Sequence, residues 1–173
     1  MPDCSRRSAA VHRGVRVPGE YTADFLDQIN ADACASKPVV TLGADDPLEG
    51  VRSWIAGHGQ GSQHQGFPVV DREGNLTGVV TRRDLLDPER SGSARVRDLI
   101  HRPLAVVFED TSLREAADHM LQEEVGRLPV VSRDEPRKPV GILTRSDLLA
   151  AHRRRLEEAN VAEQSLNWRS LRK

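Results

Sequence analysis

Aromatic side chains are scarce in this sequence of 173 residues, at 3%. Few flat platforms are left on which unpaired bases could stack, so no single-stranded nucleic acid is expected as a partner. Net charge is −1, from 25 basic and 26 acidic residues, so no global field points to a polyanion or an anionic membrane surface. Only two cysteines occur, Cys4 and Cys34. They show neither metal-ligand spacing nor a disulfide framework, which fits a reduced, intracellular setting. Long apolar runs are missing as well, and nothing approaches the roughly 18 residues that span a bilayer. The N-terminus carries arginines but no apolar h-region, so a secretory signal is not expected. These absences together lead to a cytoplasmic expectation. The 38% apolar and 29% charged content describes a globular chain with a well-charged surface. Its length suits one ordinary domain, or two small modules sharing a core.

What the sequence does contain is a repeat. Gly78-Val79-Val80-Thr81-Arg82-Arg83-Asp84-Leu85-Leu86 returns as Gly141-Ile142-Leu143-Thr144-Arg145-Ser146-Asp147-Leu148-Leu149. A glycine opens an apolar run, a threonine closes it, and an aspartate follows just before paired leucines. A buried strand feeding a helix reads this way. Other stretches repeat with it. Lys37-Pro38-Val39-Val40-Thr41-Leu42 matches Arg102 to Val107, and Asp45-Asp46-Pro47-Leu48 matches Asp110 to Leu113, both at an offset of 65. Phe67-Pro68-Val69-Val70 matches Leu128-Pro129-Val130-Val131 at 61, and the closing motif matches at 63. The differences fall in loops: the first copy has the longer glycine-rich loop, the second a longer turn around Pro136.

Each copy reads as β-α-β-β-α. The β-branched run Pro38 to Leu42 predicts a strand. Asp45-Asp46-Pro47 predicts a helix start, with aspartate as cap and Pro47 at the first helical position. Leu48, Val51, Trp54 and Ile55 lie on one helical face, as do Leu113, Ala116, Ala117, Met120 and Leu121. Phe67–Val70 and Leu76–Thr81 form a hairpin around Asp71-Arg72-Glu73-Gly74-Asn75. Tyr21 to Ala35 forms a short helix or an extended approach. The fold class is therefore α/β (α+β), divided into an irregular segment at 1–29, repeats at 30–90 and 91–155, and a helical extension at 156–173. His58 and His64, in the glycine-rich loop, lack a carboxylate or cysteine at ligand spacing and read as polar loop residues, so no metal site is assigned. The triple arginine at 153–155 faces Glu157, Glu158 and Glu163 and reads as an ion-paired helix face, not a nucleic-acid patch.

Thr-x-x-Asp at a strand-to-helix junction has an ordinary structural job, the capping box. Thr81 and Thr144 would cap, with Asp84 and Asp147 in the first turn. It also has a chemical one. Exposed amides and a hydroxyl at a helix start suit an anion, and a carboxylate can accept from two vicinal hydroxyls. Phosphate plus ribose needs both. Val39-Val40 and Gly141-Ile142-Leu143 would line a slot for a flat base, and Arg127 would supply a guanidinium for phosphate. Both readings stay open on the residues alone.

The duplicated unit, with Phe67 to Asp71 and Gly78 to Asp84 answered by Leu128 to Val131 and Gly141 to Asp147, closely resembles a cystathionine-β-synthase (CBS) domain pair. The resemblance spans about residues 30 to 155. It implies a disc-like, pseudo-two-fold module, usually a homodimer, that binds adenosine-containing ligands in clefts between the repeats. It also implies that the motif's aspartate holds the ribose while its threonine meets phosphate. Carried over, Thr144 and Asp147 form one site with Val39, Val40, His64, Gly66, Arg127 and Ile142 nearby. Thr81 and Asp84 form the other, walled by Leu104 to Val106. Gly66 departs from the arginine seen at Arg127, with Arg82 and Arg83 as substitutes, so the second copy is the favoured site. Gly14 to Tyr21, Gly66 to Asp71 and Arg95 to Ile100 further resemble the C-terminal cytoplasmic tail of bacterial chloride channels and transporters. That resemblance implies a transmembrane transport domain as partner.

The expected function is a non-catalytic regulatory module responding to ATP, ADP or AMP. A ligand-free dimerisation scaffold is the alternative. No activated nucleophile or paired acid and base suggests an enzyme, so no catalytic residue is assigned. No recognition helix suggests DNA.

Overall fold

The architecture follows from two apolar clusters that neither repeat completes alone. The computed structural model describes residues 25–170, with side chains through Glu157. The Gly14 to Tyr21 motif, Cys4 and the end of the basic C-terminus (171–173) lie outside those residues. Each repeat builds a three-stranded sheet. In the first, β1 (Leu42–Gly43) runs parallel to β2 (Gly66–Val70), and β2 pairs antiparallel with β3 (Leu76–Thr81). In the second, β4 (Val107–Phe108), β5 (Arg127–Val131) and β6 (Pro139–Thr144) pair in the same order and sense. Even the irregularities coincide: the register shifts between Val69 and Val70, and again between Val130 and Val131. The expected hairpins and duplicated β-α-β-β-α order are therefore present.

Helix α2 (Leu48–Ala56) buries Leu48, Val51 and Ile55, and α4 (Leu113–Gln122) buries Leu113, Ala116 and Met120. These are the faces that the three-to-four-residue spacing anticipates. Serine, glutamate and their own amides close a capping box at Ser112 and Glu115. Helix α3 (Arg82–Leu85) is a single turn, whereas α5 runs from Arg145 to Ser170. Of the ion pairs proposed for its outer face, those of Glu158 and Glu163 lie outside the described side chains.

What sequence periodicity does not show is an exchange between the repeats. Before the first sheet come a 3-10 turn (Phe25–Gln28) and α1 (Ala31–Cys34). They pack into the second cluster, where Ala31 is fully buried among Val107, Leu113, Leu128 and Leu143. Ala31 N donates to Thr111 O at 2.8 Å, and Leu113 N donates to Ile29 O at 2.8 Å. The matching 3-10 turn of the second repeat (Val96–Leu99) packs into the first cluster, beside Leu48, Phe67 and Leu85. There Leu48 N donates to Ala94 O and Val96 N to Asp46 O, at 2.9 and 3.1 Å. Each repeat's lead-in closes the other's core.

The exchange explains the glycine that opens each copy of the motif. A Cβ at Gly78 would stand 2.6 Å from Ile100 Cγ2, and one at Gly141 would stand 3.1 Å from Ala35 Cβ. Hydrogen at these positions lets the crossing segment lie against the strand.

It also corrects two expectations. Pro38 to Thr41 and Arg102 to Val106 are not strands; regular pairing begins only at Leu42 and Val107. Ser36 instead bridges Ile142 of the other repeat, exchanging bonds of 2.9 and 3.3 Å, so the β-branched run is a crossover between sheets. At α2 the N-cap is Pro47, without a side-chain cap. The expected aspartate cap is engaged elsewhere, because Asp46 Oδ2 accepts from Gly43 N at 2.8 Å.

Overpacking a filled site typically costs about 1–3 kcal/mol. Gly78→Ala is expected to lower the unfolding free energy by about that much, and Gly141→Ala by less, since its neighbour is farther away. Urea denaturation checks the order; equal, negligible losses would contradict the close-approach account.

Candidate functional site

A helix that starts where a strand ends presents unpaired amides, and both motif threonines sit at such a point. Thr81 and Thr144 are N-caps of α3 and α5 by position, each contacting the aspartate three residues on. Asp84 Oδ2 accepts from Thr81 N at 2.9 Å and from Thr81 Oγ1 at 2.7 Å. Asp147 Oδ2 accepts from Thr144 N at 2.8 Å and Oγ1 at 2.7 Å. Both copies therefore perform the capping job. In both copies the carboxylate caps through Oδ2, so capping leaves Oδ1 available for a ligand hydroxyl.

Around Thr81 and Asp84 the surface opens into a cleft of about 510 Å3. That volume lies within the range of small-molecule sites, roughly 300–1,000 Å3. One wall is Val79, Thr81 and Asp84 of the first repeat. The other belongs to the second repeat: the crossover at Leu99 to Ala105, the short loop at Glu124 to Gly126, and Arg127 and Arg145. The cleft thus exists because the crossover segment lies beside β3.

Arg127 occupies the junction. Its backbone pairs with Thr144, but its side chain crosses toward the first repeat. Arg127 Nη1 donates to Gln65 O at 2.7 Å, and a Cβ at Gly66 would fall 2.4 Å from its guanidinium. Gly66 is the space that Arg127 fills. Burial pushes the Arg127 guanidinium below its ordinary pKa, and the Asp84 carboxylate opposes that shift. Its Nε is buried without a hydrogen-bond partner. A buried, underused donor beside a carboxylate is costly unless an acceptor arrives.

The expected residues are therefore regrouped. Thr81, Asp84 and Arg127 line one cleft, which Thr144 and Asp147 do not line. Ala105 lines that cleft, whereas Val106 lines a separate cavity beside Phe108 and His119, and Leu104 is exposed. On the second motif's side, Ile142 bridges Ser36 and Val40 packs on Gly61. Val39 is half-buried, and His64 lies edge-on to Phe67, with ring centroids 6.4 Å apart. Arg82, expected to substitute for the missing arginine, instead donates to Ser62 O. Among the described residues, no group of three or more His, Cys, Asp or Glu could hold a metal ion.

Two cations of the cleft escaped the sequence reading, Arg102 and Arg145. Arg102 Nη1 donates to Glu124 O at 2.7 Å and Arg145 Nη2 to Val125 O at 3.1 Å, which fixes the loop between them. The repeat offsets held the signal, since Arg102 matches Lys37 and Arg145 matches Arg82.

Comparison with known proteins agrees with this fold. The CBS domain family matches residues 31–88 and 96–154, and the chain belongs to that family. An inosine-5'-monophosphate dehydrogenase of Methanocaldococcus jannaschii is 31% identical over 139 residues, 80% of this chain and 26% of that enzyme. The chain spans about a quarter of the length of the first curated relatives it matches. Among solved structures, CBSX2 in complex with AMP is similar with a TM-score of 0.59 at 26% identity, covering 72% of this chain and 96% of that one. The cytosolic domain of the Mg2+ channel MgtE in complex with ATP gives 0.59 at 27%, covering 70% and 48%.

Loss of a threonine N-cap typically costs about 1 kcal/mol. Thr81→Ala and Thr144→Ala should each destabilise the ligand-free chain by roughly that amount in urea denaturation; unchanged midpoints would contradict the capping geometry.

Proposed function

We propose that this CBS pair is a regulatory module that binds an adenine nucleotide between its repeats and signals occupancy to a linked or partner protein. The observation that supports it best is the composition of the cleft, with a ribose-type acceptor from one repeat and guanidiniums from the other. A ligand touching both walls binds best to the arrangement that brings them together, and so biases the relative position of the repeats. The nucleotide-bound relatives support the ligand class. On this reading residues 30–90 and 91–155 are the repeats, flanked by a lead-in at 1–29 and a helical extension at 156–173. The module does no chemistry of its own: threonine, aspartate and arginine here offer recognition without a nucleophile–base pair.

For the partner, the resemblance of Gly66 to Asp71 and Arg95 to Ile100 to chloride-transporter tails makes a chloride channel or transporter our first candidate, with the module on its cytoplasmic side. Among the described residues no helix is long and apolar enough to cross a membrane, so a membrane domain would lie elsewhere. Exposed Leu121, Leu149 and Leu156 on α4 and α5 suit homodimerisation. A ligand-free scaffold is favoured by one observation, that both threonine–aspartate pairs are engaged in capping.

The double variant Asp84→Asn/Asp147→Asn separates the two readings. Calorimetric titration with AMP, ADP and ATP should show binding to the wild type, and at least about tenfold weaker binding to the variant, as expected when hydrogen bonds to a charged group are lost. Thermal melting confirms that the variant is folded. A wild type that binds none of the three supports the scaffold.

A further inference from the structure

The two motif copies are alike in sequence and unlike in surroundings. Repeat-equivalent positions make the comparison direct: Arg102 with Lys37, Arg127 with Gly66, and Arg145 with Arg82. Beside Thr81 and Asp84 all three positions are arginine, and all three line the cleft. Each guanidinium has five N–H donors, and the structure shows one of them in use on each, toward a backbone carbonyl. They outnumber the two carboxylates on the cleft wall, Asp84 and the exposed Glu124.

The positions that would serve Thr144 and Asp147 are depleted. Lys37 is paired with Asp32, glycine stands where the second repeat has Arg127, and Arg82 is turned to Ser62 O. Space is depleted too. Gly61, at φ +80°, lies so close to Val40 that a Cβ would sit 2.6 Å from Val40 Cγ2. The longer loop of the first repeat thus rests on the Val39–Val40 segment expected to wall a second site, and its Ser62 is buried.

We infer that the chain takes one phosphorylated adenosine ligand, not two, in the Thr81–Asp84 cleft. Asp84 of the first repeat holds the ribose, and Arg102, Arg127 and Arg145 of the second hold the phosphate. Thr144 and Asp147 act as a helix cap alone. The inference rests on the adenine-nucleotide reading above and adds to it the site, the stoichiometry and the requirement for negative charge. Binding draws Arg127 onto the phosphate, which gives its buried guanidinium an anionic acceptor.

Titration of the full chain with adenosine, S-adenosyl-L-methionine, AMP, ADP and ATP tests each part. One nucleotide should bind per chain. Asp84→Asn should lose at least about tenfold in affinity, while Asp147→Asn stays within about twofold. Arg145→Gln should weaken nucleotide binding by about tenfold, the loss of one charged hydrogen bond, and leave adenosine unchanged. Two nucleotides per chain, or loss of binding in Asp147→Asn alone, would overturn the single site. Adenosine or cationic S-adenosyl-L-methionine binding as tightly as the nucleotides would overturn the phosphate subsite while leaving the adenine reading intact. Failure of every adenosine compound would remove both.

Discussion

The exchange of lead-in segments is the constraint on which the rest depends. Val96 and Leu99 complete the first core, and Ala31 completes the second. Fully burying one aliphatic side chain contributes about 1.5–3 kcal/mol, so a repeat deprived of its borrowed segment loses a substantial part of a small core. The two copies are tied into one unit by this reciprocity. The first strand of each sheet is only two residues long, so each sheet is little more than a hairpin, which is marginally stable alone. Gly78 and Gly141 are the local condition for the exchange, because a side chain there would push the crossing segment away. The cleft is a consequence: it lies where the crossover passes β3, and so its walls come from different repeats.

The motif's threonine and aspartate gain a second meaning from that position. The capping box and a ribose contact are not exclusive, since a carboxylate has two oxygens and the cap engages one. The helix start also fixes the orientation of Asp84, which would reduce the ordering cost of a ligand bound there. Arg127 is the counterpart on the opposite wall. Partial burial beside Gly66 makes its charge costly, and Asp84 only partly offsets that cost. An anion beside Arg127 would supply the acceptor that its buried Nε lacks.

Much of the architecture was legible because its signals are local. The α2 and α4 faces, both hairpins and the duplication follow from spacing, turn residues and matched offsets. The failures share a cause. Pro38 to Leu42 has the composition of a strand, yet Ser36 and the residues after it cross to the other repeat, a tertiary fact that β-propensity does not carry. Asp46 has the composition of a cap, but a nearby amide at Gly43 claims it. Arg127 pairs with Thr144 in the ladder, yet its side chain reaches Gln65 of the first repeat, which strand pairing does not reveal. Arg102 and Arg145 were within reach of the sequence, as counterparts of Lys37 and Arg82. Their convergence on one cleft was not, because it depends on how the crossover and the α5 start meet.

On the proposed reading, one ligand contacts both repeats through a single cleft. Amide chemical-shift mapping of the uniformly 15N-labelled chain, titrated with ADP, tests it most directly. The largest shifts are expected together on Val79 to Asp84 in one repeat and on Arg102 and Val125 to Arg127 in the other, with only small changes at His64 and Asp147. Shifts confined to one repeat, or centred on Thr144 to Asp147, would contradict it.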